Sequence, residues 1–490
     1  MKKIILAWII VIMASIGTIH KVLCSSPLYP LKVVTESNRA YFTDQNNIPF
    51  LFTCEIAQGM LNRLKIEDVR FYLDTRKAQG YNSFWFIISS TLLWTDDLTH
   101  QVVAPENAYG VLPFNNSDNN LSYPNKVYFE YVRDIMDEAV KRDMIVGIAP
   151  AYVGYSGRDL LPLMKNSGIV GCIAYGEFIG NLLKDYPNLF WIHQGDENAY
   201  NYGGASIEAL VDAVVQGIKN KDTLFTRFHT AITRAIRSHG FVGLDRTSSY
   251  FGQFDITGNK VNPMPWINLN CVYVKKSNHY SDMLQQMLDA WDTYSYNTSP
   301  GLPYLILDGV CEHYTDDAKA NRAQGYYAML SGAVGYFTGN IRILWFIGPD
   351  SNPPGNHNWK NEMIDPCSRQ ATYISKFFKT LQWWKLIPDK NHEVFTSGYN
   401  LCASAKTYDN TSAIIYMPTR REITVDLTRL SGTNIKASWY NPRNDTYESI
   451  GMFTNILTRF IPPLNNDDDI NDWILLVENV GKDKTSIPYY

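Results

Sequence analysis

Eight short, nearly continuous apolar segments, separated by stretches of helical character, constrain the fold of this chain more than any other feature. Strands that are buried on both faces have such unbroken apolar sequences, as in parallel sheets. Strand and helix alternate over about 300 residues, which predicts βα units. Eight units favour a closed (β/α)8 barrel over an open sheet. The predicted strands are Pro49–Glu55, Asn82–Ile88, Met144–Pro150, Asn188–Gln194, Thr223–His229, Ile267–Val274, Pro303–Gly309 and Ala333–Gly339.

The pattern changes after about residue 390, where apolar and polar residues alternate in short segments. The segments "AIIYMP", "REITVDL", "IKASWYN" and "WILLVEN" are separated by turn sequences such as "LSGTN". This alternation is typical of an antiparallel sandwich. We therefore predict an α/β protein: a TIM barrel over residues 30–390, then a small antiparallel β-sandwich over residues 395–490. The segment "NHEVFTSGYN" is the predicted linker.

The first 24 residues are typical of a secretory signal peptide. Lys2 and Lys3 precede an apolar run, Ile4–Ile16, that is too short for a comfortable membrane span. Cys24 stands where a bacterial lipoprotein cysteine would, although Leu23 replaces the small residue expected before it. The sequence thus predicts a secreted, periplasmic or cell-surface protein, with membrane contact only if Cys24 is lipidated.

Composition excludes several classes of function. Charged residues make up 19% of the chain and the net charge is −4, which gives no electrostatic footprint for nucleic acid. No P-loop, G-x-G-x-x-G, H-E-x-x-H or C-x-x-C motif occurs, so we expect neither a nucleotide, a cofactor nor a metal. Aromatic residues make up 13%, which suits uncharged ligands such as sugars if some of them are exposed, and otherwise only fills a large core.

Chemistry in a TIM barrel is carried by side chains at the carboxyl ends of its strands. Asp196 follows the fourth predicted strand and Glu312 the seventh, so the two would face each other across the mouth. Two such carboxylates are what glycoside hydrolysis needs. The alternative is that Asp196 caps a helix and Glu312 pairs with a Lys or Arg. Other polar residues at or near the strand ends are Glu55, His193, Glu197, Arg227, His229, Asn270, Asp308 and His313.

Several segments resemble the apiosidase-like TIM-barrel glycoside hydrolases (family 140 and relatives). "YPNLFWIHQGDEN" resembles their fourth strand, "DGVCEHY" the segment after their seventh, and "DWILLVEN" the last strand of their so-called collagen-binding domain. The resemblance implies that Asp196 is the acid/base and Glu312 the nucleophile of a retaining hydrolase. It also implies that His229 and Asn270 line the pocket and that Arg322 orients the carboxylates.

The chain departs from the family at the pocket. Glu55 and Gln58 stand where the family has Asp and Trp, Gln194 stands for a Gly, and Tyr152 stands in place of a Trp. We predict a secreted retaining hydrolase of a complex polysaccharide or oligosaccharide, with a non-catalytic glycan-binding protein as the alternative. The predicted substrate contacts are Glu55, Tyr152, His193, Glu197, His229, Asn270, Asp308 and His313.

Overall fold

The computed structural model describes most of both predicted domains. The predicted signal peptide, residues 1–24, lies outside the described residues, as does Asp196. Within the described part, no helix combines the length and apolarity that a membrane crossing requires. The described ranges are 28–37, 39–89, 94–95, 102–103, 105–115, 120–154, 159–195, 205–224, 228–232, 266–273, 280–291, 302–309, 311–312, 318–348, 358–464 and 471–481.

The first domain alternates strands and helices after an N-terminal hairpin. Its strands are β1 (Lys32–Glu36), β2 (Arg39–Thr43), β3 (Phe52–Ile56), β4 (Ser83–Ile87), β5 (Trp94–Thr95), β6 (Val102–Val103), β7 (Ile145–Ala149), β8 (Leu189–Gln194), β9 (His229–Ile232), β10 (Asn270–Tyr273), β11 (Tyr304–Asp308), β12 (Cys311–Glu312) and β13 (Gly335–Asn340). Its helices are α1 (Met60–Arg63), α2 (Ile66–Gln79), α3 (Lys126–Val140), α4 (Leu161–Leu183), α5 (Ala205–Lys221), α6 (Tyr280–Trp291), α7 (Ala318–Leu330), α8 (Ile341–Leu344), α9 (Trp359–Glu362) and α10 (Pro366–Lys379).

Eight parallel strands close into the predicted barrel, in the order β3, β4, β7, β8, β9, β10, β11 and β13. Paired strands run from β13 through β3 to β9, and β10 pairs with β11. Two backbone contacts join these groups: Leu269 N–H donates to His229 O (3.3 Å), and Val334 N–H donates to Tyr304 O (3.0 Å). The short strand β12 prolongs β11 and pairs with the end of β13. The fold class expected from the eight apolar segments is therefore confirmed.

Gly147 of β7 allows larger side chains of the neighbouring strands to pack inside the barrel. A Cβ added at Gly147 in β7 would lie 2.6 Å from Trp85 Cβ, 2.7 Å from Ile192 Cδ1 and 2.8 Å from Phe190 Cζ. The space that Gly147 leaves is filled by larger side chains of the neighbouring strands β4 and β8. This is the alternation of large and small residues by which a barrel interior reaches the density of a packed core.

The N-terminal hairpin closes the bottom of the barrel. Phe42 of β2 is completely buried, and its ring lies 5.5 Å from that of Phe52 and 4.6 Å from that of Phe228. The bottom is therefore sealed by aromatic side chains, which leaves the carboxyl ends of the strands as the open mouth.

The C-terminal domain is a sandwich of a six-stranded and a three-stranded antiparallel sheet. Trp439 and Trp473 lie in the core between the sheets, as their strand positions predict. Its strands are β14 (Leu386–Pro388), β15 (Phe395–Ser397), β16 (Ala403–Thr407), β17 (Ser412–Met417), β18 (Ile423–Asp426), β19 (Ile435–Asn441), β20 (Thr446–Phe453), β21 (Leu457–Phe460) and β22 (Trp473–Asn479).

Two predicted boundaries differ from the structure. The sandwich begins with β14 at Leu386, and the expected linker contains β15, which pairs with β18. The fifth barrel strand was predicted over Thr223–His229, but it begins at His229, which pairs with Trp191 of β8. Other barrel strands lie close to their predicted positions, and α2 ends at Gly80, whose positive φ of 95° is that of a C-cap.

The hydrophobic core of the barrel extends to one face of the sandwich, and a buried ion pair also joins the two domains. Arg322 of α7 donates to both carboxylate oxygens of Asp472 (3.0 and 2.8 Å), and Tyr416 of β17 donates to the same carboxylate (3.1 Å). Tyr416 also stacks on Tyr326 of α7 at 5.0 Å. Arg322 thus faces the sandwich, and the expectation that it orients strand-end carboxylates is wrong.

We expect the substitution Arg322→Met to destabilise both domains together. It leaves Asp472, which is fully buried, without its counterion, and breaking a buried pair in this way costs about 3–5 kcal/mol. The matched control is Arg459→Met, because Arg459 is exposed and lies 3.6 Å from Glu422. An exposed pair of this kind contributes about 0–1 kcal/mol. Urea unfolding of both variants measures the difference, and equal losses would contradict the stabilising role of the interdomain pair.

Candidate active site

The segments that precede and contain the candidate carboxylates lie at the mouth of the barrel. Strand β8 ends at Gln194, and Gly195 follows with a φ of 86°, so that Asp196 comes next in the chain. Strand β11 ends at Asp308, and Glu312 in β12 pairs through its backbone with Asn340 at the end of β13. The fourth and seventh strands are therefore both present, with their carboxyl ends at the same rim.

Trp85 connects these two sides of the barrel through its interior. It lies in β4 and is completely buried. Its Nε1–H donates to the carbonyl oxygen of Leu307 in β11 at 2.9 Å. The next residue is Asp308, so this hydrogen bond fixes the backbone from which the segment with Glu312 departs. The Trp85 side chain thus helps to fix the position of the carboxyl end of β11, the seventh barrel strand.

Tyr152 continues this connection to the fourth strand. The ring follows β7, is 3% exposed and lies 6.5 Å from the Trp85 ring. It also packs directly on the backbone of Gly195, where an added Cβ would lie 2.1 Å from the ring. The close contact and the positive φ both require glycine at this position. Because Tyr152 is almost fully buried, it serves to position the end of β8 rather than to offer an open face to a sugar.

The structure places the remaining predicted site residues in different ways. Glu197 and His313 lie outside the described residues, together with Asp196. Asp308 is described by its backbone, which pairs with Tyr273 at the end of β10. Asp196 and Glu312 therefore remain predictions as the catalytic pair, on strand ends that the structure brings to one rim.

Glu55 lies outside the barrel, between strand and helix. Its carboxylate accepts from Arg76 through two hydrogen bonds (2.6 and 2.5 Å) and from the hydroxyl of Tyr72 (2.7 Å), both on α2. The glutamate and arginine side chains are each 1% exposed. The predicted substrate contact at Glu55 is wrong, because its carboxylate is held in a buried ion pair that attaches α2 to β3.

His193 and His229 also face away from the mouth. Successive residues of a strand point to opposite faces, and Ile192 of β8 points into the barrel beside Gly147. His193 Nε2 and His229 Nδ1 share a hydrogen bond of 3.2 Å, and His193 packs on Trp266 at 4.8 Å. Burial, with a smaller contribution from His229, holds the pKa of His193 well below its usual value. Both predicted substrate contacts are wrong, since this pair lies between the sheet and its outer layer.

Asn270 lies at the wrong end of its strand for the predicted role. It is the first residue of β10, and its backbone N–H donates to Pro303 O at 3.0 Å. Three residues of extended chain, about 10 Å, separate it from the carboxyl end of the strand. The side chain is completely buried, so the resemblance placed a pocket residue where the structure has a core residue.

Two residues that position the site were not identified as such from the sequence. Trp85 was expected only in the core, and its hydrogen bond to Leu307 spans 222 residues of chain. Gly195 stands in "HQGDEN" directly before the candidate acid, and a glycine at the end of an apolar strand is a local signal for such a turn. The tryptophan contact has no equivalent signal in the sequence.

The barrel and its attached sandwich define a two-domain TIM-barrel protein. The family model described as "Apiosidase-like, catalytic domain" matches residues 36–385. The chain belongs to this family. A second model, described as "Putative collagen-binding domain of a collagenase", matches residues 387–478. None of the curated proteins compared with the chain matches it in sequence.

Solved structures share the fold over nearly the whole length of the chain. A glycoside hydrolase superposes with a TM-score of 0.72 at 20% identity, covering 92% of this chain and 98% of its own. A family 5 glycoside hydrolase from Bacteroides vulgatus has a TM-score of 0.72 at 19% identity, covering 94% of this chain and 96% of its own. At these identities the likeness establishes the fold.

The substitution Gly195→Ala tests whether Tyr152 positions the fourth strand end. The left-handed backbone costs about 1–2 kcal/mol and overpacking about 1–3 kcal/mol more. We expect the displaced turn to abolish most of any hydrolytic activity. The control is Gly110→Ala, where φ is also positive (75°) but no atom lies within 4 Å of the added Cβ. Equal losses of stability in a thermal melt would contradict the close contact.

The buried histidine pair predicts a pH dependence of stability. Because the pKa of His193 is lowered in the folded state, the unfolded chain binds a proton first as pH falls below about 6.5. Stability is therefore complete above that value and decreases on acidification, by up to about 1.4 kcal/mol per pH unit. His193→Phe should flatten this slope in urea titrations at several pH values. His392→Phe, which removes a ring stacked on Tyr399 in the sandwich (4.1 Å), should keep it.

Proposed function

We propose that the protein is a secreted retaining glycosidase that hydrolyses O-glycosyl bonds of a complex polysaccharide or oligosaccharide. Membership of the apiosidase-like family and the glycoside hydrolase fold support glycosidase activity. The observation that carries the proposal is the chain of contacts Gly195–Tyr152–Trp85–Leu307. It joins the backbone beside Asp196 to the backbone that leads to Glu312, across the interior of the barrel.

In the first step the two carboxylates would act from opposite sides of the scissile bond. Asp196, protonated, donates its proton to the glycosidic oxygen while the Glu312 carboxylate attacks the anomeric carbon. The bond to the departing alcohol breaks as the bond to the Glu312 oxygen forms. This double displacement needs the carboxyl groups to be about 5 Å apart, which a fixed distance between the two strand ends would maintain.

In the second step water would release the sugar. Asp196, now ionised, removes a proton from water, and the resulting oxygen attacks the anomeric carbon and displaces Glu312. Both residues return to their starting protonation states, and the anomeric configuration is retained. The completely buried Trp85 and the almost fully buried Tyr152 beneath the mouth form an apolar floor that strengthens electrostatic interactions above it.

Secretion is proposed from the N-terminal sequence. Lys2 and Lys3 and the short apolar run after them are the features of a signal peptide. A polysaccharide too large to enter a cell would then be met outside it. Lipidation at Cys24 would attach the mature protein to a membrane surface.

A non-catalytic glycan-binding protein is the second candidate, favoured by one specific observation. Glu55, which replaces the family's Asp, has its carboxylate fully engaged by Arg76 and Tyr72 and so adds no acidic group to the mouth. A protein of this class would bind oligosaccharides at the mouth and leave them intact.

Hydrolysis assays on the two carboxylate variants decide between these candidates. We expect Asp196→Asn and Glu312→Gln each to lower hydrolysis of a cleaved glycan by several orders of magnitude without loss of fold. The control Glu448→Gln changes an exposed residue of β20 and should keep full activity. Full activity in either mouth variant would overturn the assignment, and intact glycans bound by the wild type would favour the binding protein.

Two further readouts test the retaining mechanism. Proton NMR of the first product should show the anomeric configuration of the substrate. Azide should restore product formation to a variant in which Glu312 is replaced by glycine, because the small anion takes the place of the lost nucleophile. An inverted first product would exclude the covalent intermediate while leaving the glycosidase itself intact.

A further inference from the structure

The backbone of Glu312 is paired with the carboxyl end of β13. Glu312 lies in β12, a strand of two residues, and pairs with Asn340, while Cys311 pairs with Gly339. Among the strands that the structure describes, β12 pairs with β13 alone. The position of the proposed nucleophile therefore depends on the end of β13 as well as on β11, which precedes it in the chain.

The backbone of Gly339 is held by the outer layer of the barrel. Its carbonyl oxygen accepts from Nδ2 of Asn321 on α7 (3.1 Å) and from the thiol of Cys367 on α10 (3.8 Å). Both of these residues are almost fully buried. Two helices of the outer layer thus fix the residue that precedes Asn340 in β13.

The side chain of Asn340 joins the end of β13 to two short helices. Its Oδ1 accepts from the backbone N–H groups of Arg342 (3.0 Å) and Ile343 (3.4 Å) in α8, which is the contact of a helix N-cap. Its Nδ2 donates to Oε2 of Glu362 in α9 at 3.4 Å. Asn340 is 2% exposed, and both ends of its amide are engaged. The side chain is therefore held in one orientation.

The carboxylate of Glu362 completes this link. Its Oε1 forms an ion pair with Nη1 of Arg342, two residues after Asn340 in the chain. The side chain of Glu362 is 5% exposed and that of Arg342 is 19% exposed. A carboxylate at this depth needs such partners, because an unpaired buried charge is costly. The pair is neutral as a whole, so its effect on Glu312 comes from geometry and not from added charge.

The helix α9 is in turn anchored to the beginning of the barrel. Ser368 Oγ on α10 donates to the carbonyl oxygen of Glu362 (3.1 Å) and accepts from Nη2 of Arg76 (3.2 Å). Nη1 of Arg76 also donates to the carbonyl oxygen of Met363 (3.2 Å). The buried pair of Glu55 and Arg76, which lies outside the mouth, is thus connected through α9 to the end of β13.

We infer that Asn340 and Glu362 are positioning residues for Glu312. They hold the strand end with which its backbone pairs, and so fix where its carboxylate meets the anomeric carbon. The inference rests on the proposed function, because that function makes Glu312 the nucleophile. A displacement of about 1 Å at a reacting group costs about 100-fold in rate. Loss of the link should therefore lower kcat and kcat/KM by similar factors.

Hydrolysis of dinitrophenyl glycosides tests this inference. A panel that carries the common plant and host sugars identifies a glycoside that the wild type cleaves. Dinitrophenolate departs without a proton from an acid, so kcat/KM for this substrate reports attack by Glu312. We expect Asn340→Asp to lower it by about 100-fold, because the new carboxylate still caps α8 but repels Glu362.

A double variant separates the lost link from a general loss of stability. Asn340→Asp combined with Glu362→Gln restores a hydrogen bond between the two side chains, with donor and acceptor exchanged, and keeps one carboxylate beside Arg342. Most of kcat/KM should therefore return. The matched control is Glu138→Gln, because the Glu138 side chain is similarly buried (6% exposed) and pairs with Arg142 at 2.7 Å. It lies at the end of α3, away from the mouth, so this variant should lose stability and keep kcat/KM.

Circular dichroism melts verify that each variant is folded. Wild-type kcat/KM in Asn340→Asp, no recovery in the folded double variant, or an equal loss in Glu138→Gln would overturn the inference while the proposed function stands. Hydrolysis of no glycoside by the wild type would instead overturn the proposed function, and this inference with it.

Discussion

Close packing of Trp85 against Gly147 is the constraint on which the barrel interior depends. An added Cβ at Gly147 would lie 2.6 Å from the Cβ of Trp85, so the absence of a side chain lets Trp85 of β4 pack directly against the backbone of β7. From that position its N–H reaches the carbonyl of Leu307 on the far side. The packing of Trp85 against β7 therefore also positions its hydrogen bond to β11 across the barrel. Interiors at this density transmit such positions rather than absorb them.

The outer layer of the barrel is fixed by charge as well as by apolar contact. The ion pair of Glu55 and Arg76 attaches α2 to β3. The ion pair of Arg322 and Asp472 attaches α7 to the sandwich. Both pairs are buried and doubly hydrogen-bonded, which is the geometry in which a buried pair repays much of its desolvation. The carboxylate of Glu55 on β3, the first barrel strand, thus stabilises the architecture and is not part of a site at the mouth.

The strands of the barrel were predictable within a few residues because unbroken apolar segments bounded by polar residues have few other solutions. The sequence did not predict on which face of the barrel wall each side chain of a strand lies. In a strand buried on both sides, alternation between apolar and polar residues is lost, and with it the sign that distinguishes inside from outside. Glu55, His193 and His229 were therefore assigned to the mouth although they point to the helices. In the sandwich, the segments "IKASWYN" and "WILLVEN" match the observed strands β19 and β22.

The pair of Arg322 and Asp472 also has a consequence for the order of events during synthesis. The two residues are separated by 150 positions, so the arginine on α7 emerges from the ribosome long before its partner. Until β22 is made, the barrel carries an uncompensated charge and an uncovered aromatic surface on that helix. Contacts of such high sequence separation form late, and domains that need them remain exposed to aggregation meanwhile. The barrel is thus an incomplete folding unit while the chain is still growing, and the last strand of the sandwich completes it.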